Sequence, residues 1–584
     1  MARLPQPGGD SGNWGSILND YLSQAHKSDG TLKDNTVTAS ILAPHSVTSM
    51  ALASNSVSAI AIVDGSVTNQ KLSIAVQSSL DKADTATQSA DLNAKYTKPA
   101  GGIPLSDLKQ SDLNIAYVPL QPQTVTIPSG LGWDQTKYPL SMTITDLPGM
   151  TRAHGVSTLT PESAFDSVST ARTAPGATFY VDGLNGLDTN AGTQAAPFQR
   201  IWKAVQAANA ANVPSKVIVK ATVSRYIRSN NPSFGAVYPT VDIAFVASGG
   251  RINTGTFDDF TATVDGTFTR SYATTVSANT VNRVVDLLYT NQYGNYSELV
   301  NVSSADLCNN TPGSWYHHTD GTLYIHRYDG AAVTQFNTRF YRSSATSFSL
   351  RAGVNLYIGG EGGNDGFDVE GGHSYGGLEV TPTSASPTEK VIAVSNCTFK
   401  YAGGKIDNSV GRGVSIDNWH GLAVLSNVRT DAALTDGFNF HNSIGVPRTL
   451  ALTINCSATD NGRPGMQSCN SHTLHENVIA IDLCSTFNVS RGGSIRNINT
   501  SKALYAGTHI KDDRGDVGLG GGGIVKPTAV RADDSATIWC DRTRTDMPAG
   551  GYEYFTGSGT STIHKRATWP VHSPDSGPGT INVY

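Results

Sequence analysis

The sequence predicts an all-β fold, a parallel β-helix preceded by a slender N-terminal fibrous stalk with a short helix. Three observations predict it. Two sets of short strands recur in step in the second half of the chain. Val394-Ser395-Asn396-Cys397, Leu425-Ser426-Asn427-Val428, Thr453-Ile454-Asn455-Cys456 and Ile481-Asp482-Leu483-Cys484 end 31, 28 and 28 residues apart. Gly413-Val414-Ser415-Ile416, Gly437-Phe438-Asn439-Phe440, Gly465-Met466-Gln467-Ser468 and Gly493-Ser494-Ile495-Arg496 follow at steps of 24, 28 and 28. Strand sets sharing one period are what stacked β-helix rungs require. Near the N-terminus a ten-residue phrase occurs four times: Asn35-Thr36-Val37-Thr38, His45-Ser46-Val47-Thr48, Asn55-Ser56-Val57-Ser58 and Gly65-Ser66-Val67-Thr68. Leu42, Leu52, Ile62 and Leu72 follow at a constant offset. One decad cannot bury its own Val and Leu, so it must stack on its neighbours or on other copies of the chain. Finally, charged residues make up 15% and Gly contributes 59 of 584 residues, against roughly 25% and about 7% in average soluble chains.

Taken in order, residues 1–34 read as an attachment peg. Trp14, Ile17, Leu18, Tyr21 and Leu22 fall on one helical face after the Gly8-Gly9-Asp10-Ser11-Gly12 turn. Residues 35–122 hold the decads, an Ala/Ser/Gln-rich segment and a linker broken by Pro99-Ala100-Gly101-Gly102-Ile103-Pro104. Residues 123–175 suggest a few connecting strands through Val125, Ile127, Ile144 and Leu147. The coil is placed at 176–502, with an inserted sheet at about 250–345. Residues 503–584 lose the period and read as a C-terminal cap or small β domain, with five glycines between Gly518 and Gly523 marking a loop. Cys397, Val428, Cys456 and Cys484 are expected to stack inward as buried core, beside an Asn396, Asn427 and Asn455 ladder at a turn. No CxxC pair or zinc spacing occurs among the six cysteines.

Two segments carry resemblances. Leu4-Pro5-Gln6-Pro7-Gly8-Gly9-Asp10-Ser11-Gly12-Asn13-Trp14-Gly15-Ser16-Ile17-Leu18-Asn19-Asp20-Tyr21-Leu22 resembles the N-termini of tail-fibre and minor tail proteins of phages of actinobacteria. Asp64-Gly65-Ser66-Val67-Thr68-Asn69-Gln70-Lys71-Leu72 and Lys98-Pro99-Ala100-Gly101-Gly102-Ile103-Pro104 resemble segments of the same proteins. This implies a virion component, usually a homotrimer, bound to tail or baseplate proteins through its N-terminus and acting at the host cell surface. Phe179-Tyr180-Val181-Asp182-Gly183, Asn185-Gly186-Leu187-Asp188 and Ile201-Trp202-Lys203-Ala204-Val205 resemble the entry segment of right-handed parallel β-helices of the pectate-lyase-like superfamily. There a first strand, a loop and a capping helix close the coil's open end.

The densest polar clusters fall on the repeated rungs. Asp436, Asp460, His475 and Glu476 are the candidate catalytic residues. Asp436 and Asp460 form the first acid–base pair, with Glu476 as a substitute partner and His475 or His441 shuttling protons. Arg463 suits a sugar acid, and Trp419 and Tyr401 suit sugar rings. A glycosidic bond or, by β-elimination, a uronic acid would be the substrate. Asp-Gly and Asp-Asn-Gly also form turns in their own right. Asp436 resembles one element of the polygalacturonase motif set, but the others do not follow in order, so that mechanism is not carried over. No pectate-lyase calcium signature is present; no cofactor is expected, with calcium as the alternative that the sequence does not indicate. A net charge of −5 without a basic block argues against nucleic acid. No membrane-length apolar run or signal peptide is read. The expected partners are therefore a host surface glycan, the tail and two further copies of the chain. The glycan would be cleaved by a depolymerase, or only bound by a receptor-binding fibre. The remaining reading is a free secreted carbohydrase.

Overall fold

The computed structural model describes residues 3–37 except 35, residues 73 and 76, and residues 122–583 except 147–152, 224, 227–237, 258, 278–279, 343–347, 373–375, 383–387, 404–410, 444, 446, 464–468, 489–492, 512–527, 547–551 and 566–576. The chain divides into two compact units, Met1–Ala116 and Tyr117–Tyr584. In the first, a helix spans Trp14–Leu22 and buries none of its residues. Arg3 and the amide of Gln6 hold Asp10 in the turn before it. The decads lie almost wholly outside the described residues.

The second unit is a parallel β-helix. Through most of the coil each turn contributes one short strand to each of three sheets, of eight, twelve and eight strands, the twelve-stranded sheet running past the other two at both ends. One turn runs Phe438–His441, Thr449–Ile454 and Ser457–Thr459, and the next Asn470–Leu474, Val478–Leu483 and Thr486–Asn488. All pairings between successive turns in these sheets are parallel. Alternation fills the bore, because neighbouring side chains point to opposite faces. Val414, Ile416, Phe438, Phe440, Leu474 and Ile495 line one wall, and Ala423, Leu425, Ala451 and Ala480 another. Each large apolar side chain so buried contributes about 1.5–3 kcal/mol.

The Asn ladder sits at the corner between the second and third sheets. Asn396, Asn427 and Asn455 adopt φ of 53°, 53° and 52°, the left-handed region that Asn tolerates. The register corrects one expectation. Ile454 pairs with Leu483, so Cys484 occupies the Asn position, with φ 58°. Ser485 takes the inward place after Cys456, whose amide donates to its Oγ at 3.1 Å. Cys397 and Cys456 therefore belong to the bore, whereas Cys484 packs outward against Ile144 and its neighbours. A second correction concerns the other strand set. His472, not Met466, aligns with Phe438, and Ile495, not Ser494, follows His472 in that column. All six cysteines are buried thiols.

The helix Ile201–Ala211 closes the N-terminal end. Its face of Ile201, Ala204, Val205 and Ala208 is buried, covering apolar bore that an open end would expose. Residues 122–146 and 153–166 form a strap along the outer face of the twelve-stranded sheet. Arg542 holds Gln123 at one end, and Tyr357 donates to Glu162 at the other. Between them Leu131, Trp133, Met142, Ile144 and Phe165 cover Leu422, Val424, Leu452, Ile481 and Leu504. Between Arg251–Gly255 and Phe348–Leu350 the chain leaves the coil to build two small sheets with their own core, including Trp315, Leu323, Ile325 and Phe340. The coil also continues past residue 502. Lys502–Ala506, Thr528–Ala532, Thr537–Asp541 and Thr562–Lys565 join the same long sheets. The period fades there because a long connection, 512–527, separates two strands that still lie on successive turns.

Candidate active site

The outer face of the eight-stranded sheet formed by Phe348–Leu350, Gly376–Val380, Arg412–Asp417, Phe438–His441, Asn470–Leu474, Gly493–Asn497, Thr528–Ala532 and Tyr552–Thr556 is polar. Strand register lines up Ser349, Glu379, Ser415, Asn439, Thr473, Arg496 and Arg531 in one row. Asp417 and His441 pair in a second row two residues along, which His475 continues. Inward neighbours are apolar at each step, as in Leu378-Glu379-Val380 and Val414-Ser415-Ile416-Asp417. The same alternation that fills the bore therefore aims these polar groups outward.

Two acidic residues, Glu379 and Asp417, stand at the centre. Glu379 is fully buried and Asp417 nearly so. By register they are one rung and two residues apart, about 8 Å between Cα positions. Burial pushes Glu379 up to about 7; Arg351 opposes this and the charge of Asp417 adds to it. Burial also raises Asp417, against Arg412, His441 and Ser415. The two differ in their partners. Arg412 Nη1 donates to Asp417 at 3.2 and 3.3 Å, and Ser415 Oγ donates at 3.1 Å. Glu379 has an ion pair with Arg351. Hydrogen bonds to the charged form favour it, so of the two the proton belongs on Glu379.

Two histidines border the pair. His441 Nδ1 lies 4.0 Å from Asp417, and its ring meets that of His475 edge to face, with centroids 4.2 Å apart. Burial, then electrostatic interaction with His441, Arg412 and Arg496, lowers His475 to about 3, so it is a neutral donor or acceptor near neutrality. The His441 side chain is 37% exposed and Arg351 26%; both give solvent contact beside the buried acids. Among the described residues no cluster of His, Cys, Asp and Glu has the makings of a metal site.

The structure separates the residues singled out in the sequence. Asp436 lies beside this face, fully buried, accepting from the Asn470 amide at 2.7 Å and Asn439 Nδ2 at 3.0 Å. His441 and His475 lie on the face itself. Glu476 follows at the corner, where Thr500 donates to it at 2.5 Å. Asp460 and Arg463 are elsewhere, under the inserted sheets. Asp460 accepts from Asn291 at 2.6 Å and Asn295 at 3.2 Å. Arg463 joins Glu298, which also pairs with buried Arg283. The two arginines hold Glu298 down at about 2 against its burial. Tyr401 is buried between Tyr341 and Tyr296, with centroids at 5.2 and 6.0 Å, and Trp419 lies in the bore. Asp436 and Asp460 thus do not face one groove, and the ring faces of Tyr401 and Trp419 are enclosed. Glu379, Asp417, Arg351 and Arg412 were not singled out. Their signal was the outward parity of the strands, which continues the second strand set by one residue to Asp417 and His441.

No protein-family model and no curated protein sequence matches the chain. Among solved structures, a glycoside hydrolase is similar over 70% of this chain and 96% of its own, at 9% identity and a TM-score of 0.36. A GH136 lacto-N-biosidase from Eubacterium ramulus covers 70% and 68%, at 10% identity and 0.26. The tailspike gp49 from Pseudomonas phage LKA1 covers 65% and 69%, at 13% identity and 0.21.

Proposed function

We propose that this chain is a tailspike-like virion fibre whose β-helix binds host-envelope polysaccharide and hydrolyses it at Glu379 and Asp417. The observation that supports it is the pair itself: two buried carboxyl groups in unequal surroundings on the outer side of one sheet, beside the part-exposed His441 and Arg351. Two acids whose environments separate their roles are what glycoside hydrolysis requires. Glu379, protonated, gives its proton to the glycosidic oxygen as the bond to the anomeric carbon breaks. Asp417, charged against Arg412, takes a proton from the water whose oxygen forms the new bond. His441 and His475 border the space where sugar hydroxyls would lie. The N-terminal peg and decads would attach the fibre to the tail, and the resemblance of these segments to tail-fibre proteins implies a homotrimer.

One observation favours a second reading. Arg351 and Arg412 already neutralise the two carboxylates, as in a structural ion-pair network, and such a face would serve a non-catalytic receptor-binding fibre. Incubating the purified chain with envelope polysaccharides and assaying new reducing ends separates the two. Products support hydrolysis, and binding without product from any glycan supports the adhesive fibre. A molar mass three times that of the chain is expected in solution, and a monomer would count against the fibre assignment.

A further inference from the structure

Further along the same face the row changes character. Arg496 pairs in register with Arg531 on the next rung, so the two guanidinium groups stem from positions about 4.8 Å apart. Both are fastened to one carboxylate through Nε. Arg496 Nε donates to Asp533 Oδ2 at 2.8 Å, and Arg531 Nε donates to both oxygens at 2.9 Å. The Arg531 guanidinium also lies over the Phe555 ring, 5.3 Å from its centroid. Asp533 is only 10% exposed at its side chain, whereas both arginines are 31% exposed. Among the described residues the Nη groups of neither arginine have a hydrogen-bond partner.

This arrangement is unusual for ion pairing alone. One carboxylate balances one of two adjacent cations, and the remaining charge stays at the surface. Attachment through Nε restrains the guanidinium planes and leaves the Nη groups outside the bonds to Asp533. The side-chain order is already in place, so a ligand loses less entropy on binding. Planar forks held this way match carboxylate or phosphate oxygens. Neutral sugar hydroxyls gain much less from them.

We propose that Arg496 and Arg531 form a subsite for an anionic group of the polysaccharide, three and four rungs from Asp417 along the same face. This rests on the glycan reading above and adds to it that the glycan is acidic. At about 4.8 Å per rung, Arg496 stands about 14 Å from the Asp417 rung. The polysaccharide would therefore run along the coil axis, with its charge held several residues from the bond that is cut.

Binding of three probes to the full-length protein tests this: an oligogalacturonate, a phosphorylated oligosaccharide, and a neutral maltooligosaccharide of equal length. Glu379→Gln protein prevents turnover during the measurement. One anionic probe is expected to bind at least about tenfold more tightly than the neutral one at low salt, and the one that does so names carboxylate or phosphate as the ligand. Arg496→Gln/Arg531→Gln should lower that preference about tenfold or more, the scale of a charge-assisted hydrogen bond. Arg531→Lys, which keeps the charge and loses the fork, should fall between. Equal binding of anionic and neutral probes, or a preference untouched by the double substitution, would overturn the subsite. If the double variant melts early, the unsubstituted arginines decide, because a preference that survives from about 50 mM to about 500 mM salt is not ionic. The two readings fail separately. Anion preference without any cleavage product leaves the subsite standing, whereas cleavage lost on Glu379→Gln with no anion preference leaves only the hydrolytic pair.

Discussion

Replacing Glu379 with Gln should remove a pH-dependent cost to the fold. Burial raises this carboxyl from 4.5 to about 7. Between those values the folded chain keeps a proton that the unfolded chain has released. Stability therefore falls as pH rises through this window and stays at the lower level above it. Below pH 4.5 both states are protonated and the group contributes nothing. From 4.5 to about 7, at 1.36 kcal/mol per pH unit, the loss is about 3 kcal/mol. Gln cannot titrate, so the variant lacks the fall. With an unfolding entropy of about 2.1 cal/mol/K per residue, the difference corresponds to about 2–3 °C for a chain of this length. Calorimetry of both proteins at one scan rate is the assay, since large coils often unfold irreversibly and only paired midpoints compare. The midpoint of Glu379→Gln should gain on the parent by that amount between pH 4.5 and pH 8. Parallel curves for the two proteins would refute the assignment of a raised, buried acid at 379.

Other consequences are as direct. Asn455 keeps its left-handed φ of 52° and bonds both the amide and the carbonyl of Gly155. Asn455→Gly should cost about 2 kcal/mol from the two lost bonds and Asn455→Ala about 1 kcal/mol more, with faster proteolysis within 122–166; equal melting of parent and variants would be contrary. Arg463→Ala leaves the half-buried Glu298 with buried Arg283 as its remaining cation and should cost about 1–2 kcal/mol, read as faster amide exchange in Val281–Thr290. Activity should survive at a temperature where the variant is folded, and its selective loss would return Arg463 to the substrate site. A thiol reagent should leave all six buried cysteines unmodified in the folded protein and label them after denaturation; fast labelling of Cys484 would contradict its packing under the strap.

The coil was legible because its bore imposes a repeat. Cys397, Val428 and Cys456 are spaced as rungs must be, and Asn396, Asn427 and Asn455 mark a corner needing positive φ. Cys484 broke the rule through a one-residue change in rung length, which periodicity alone cannot detect once a cysteine stands in an asparagine's place. The register of the other strand set slipped for a similar reason, since connections of differing length separate its strands. Residues 503–584 lost their period to the glycine-rich connection at 512–527, although the ladder resumes beyond it.

The site was less legible because density of polar residues is a poor guide on such a scaffold. Asp460 and Arg463 are crowded because they dock the inserted sheets, through Glu298, Asn291 and Asn295. Those partners lie some 165 residues earlier in the chain. Glu379 and Asp417 are each the single acid in a strand of apolar alternation. Only the parallel register, with its one-rung offset, brings them together with Arg351, Arg412 and His441.

The central claim is that Glu379 and Asp417 act as acid and base on a glycosidic bond. The most direct test is the initial rate of reducing-end release from the cleaved envelope polysaccharide by the parent, Glu379→Gln and Asp417→Asn proteins. Each substitution should lower the rate by about 10²–10⁴-fold, with probe binding at Arg496 and Arg531 retained. Rates within a few-fold of the parent for both variants would contradict the account.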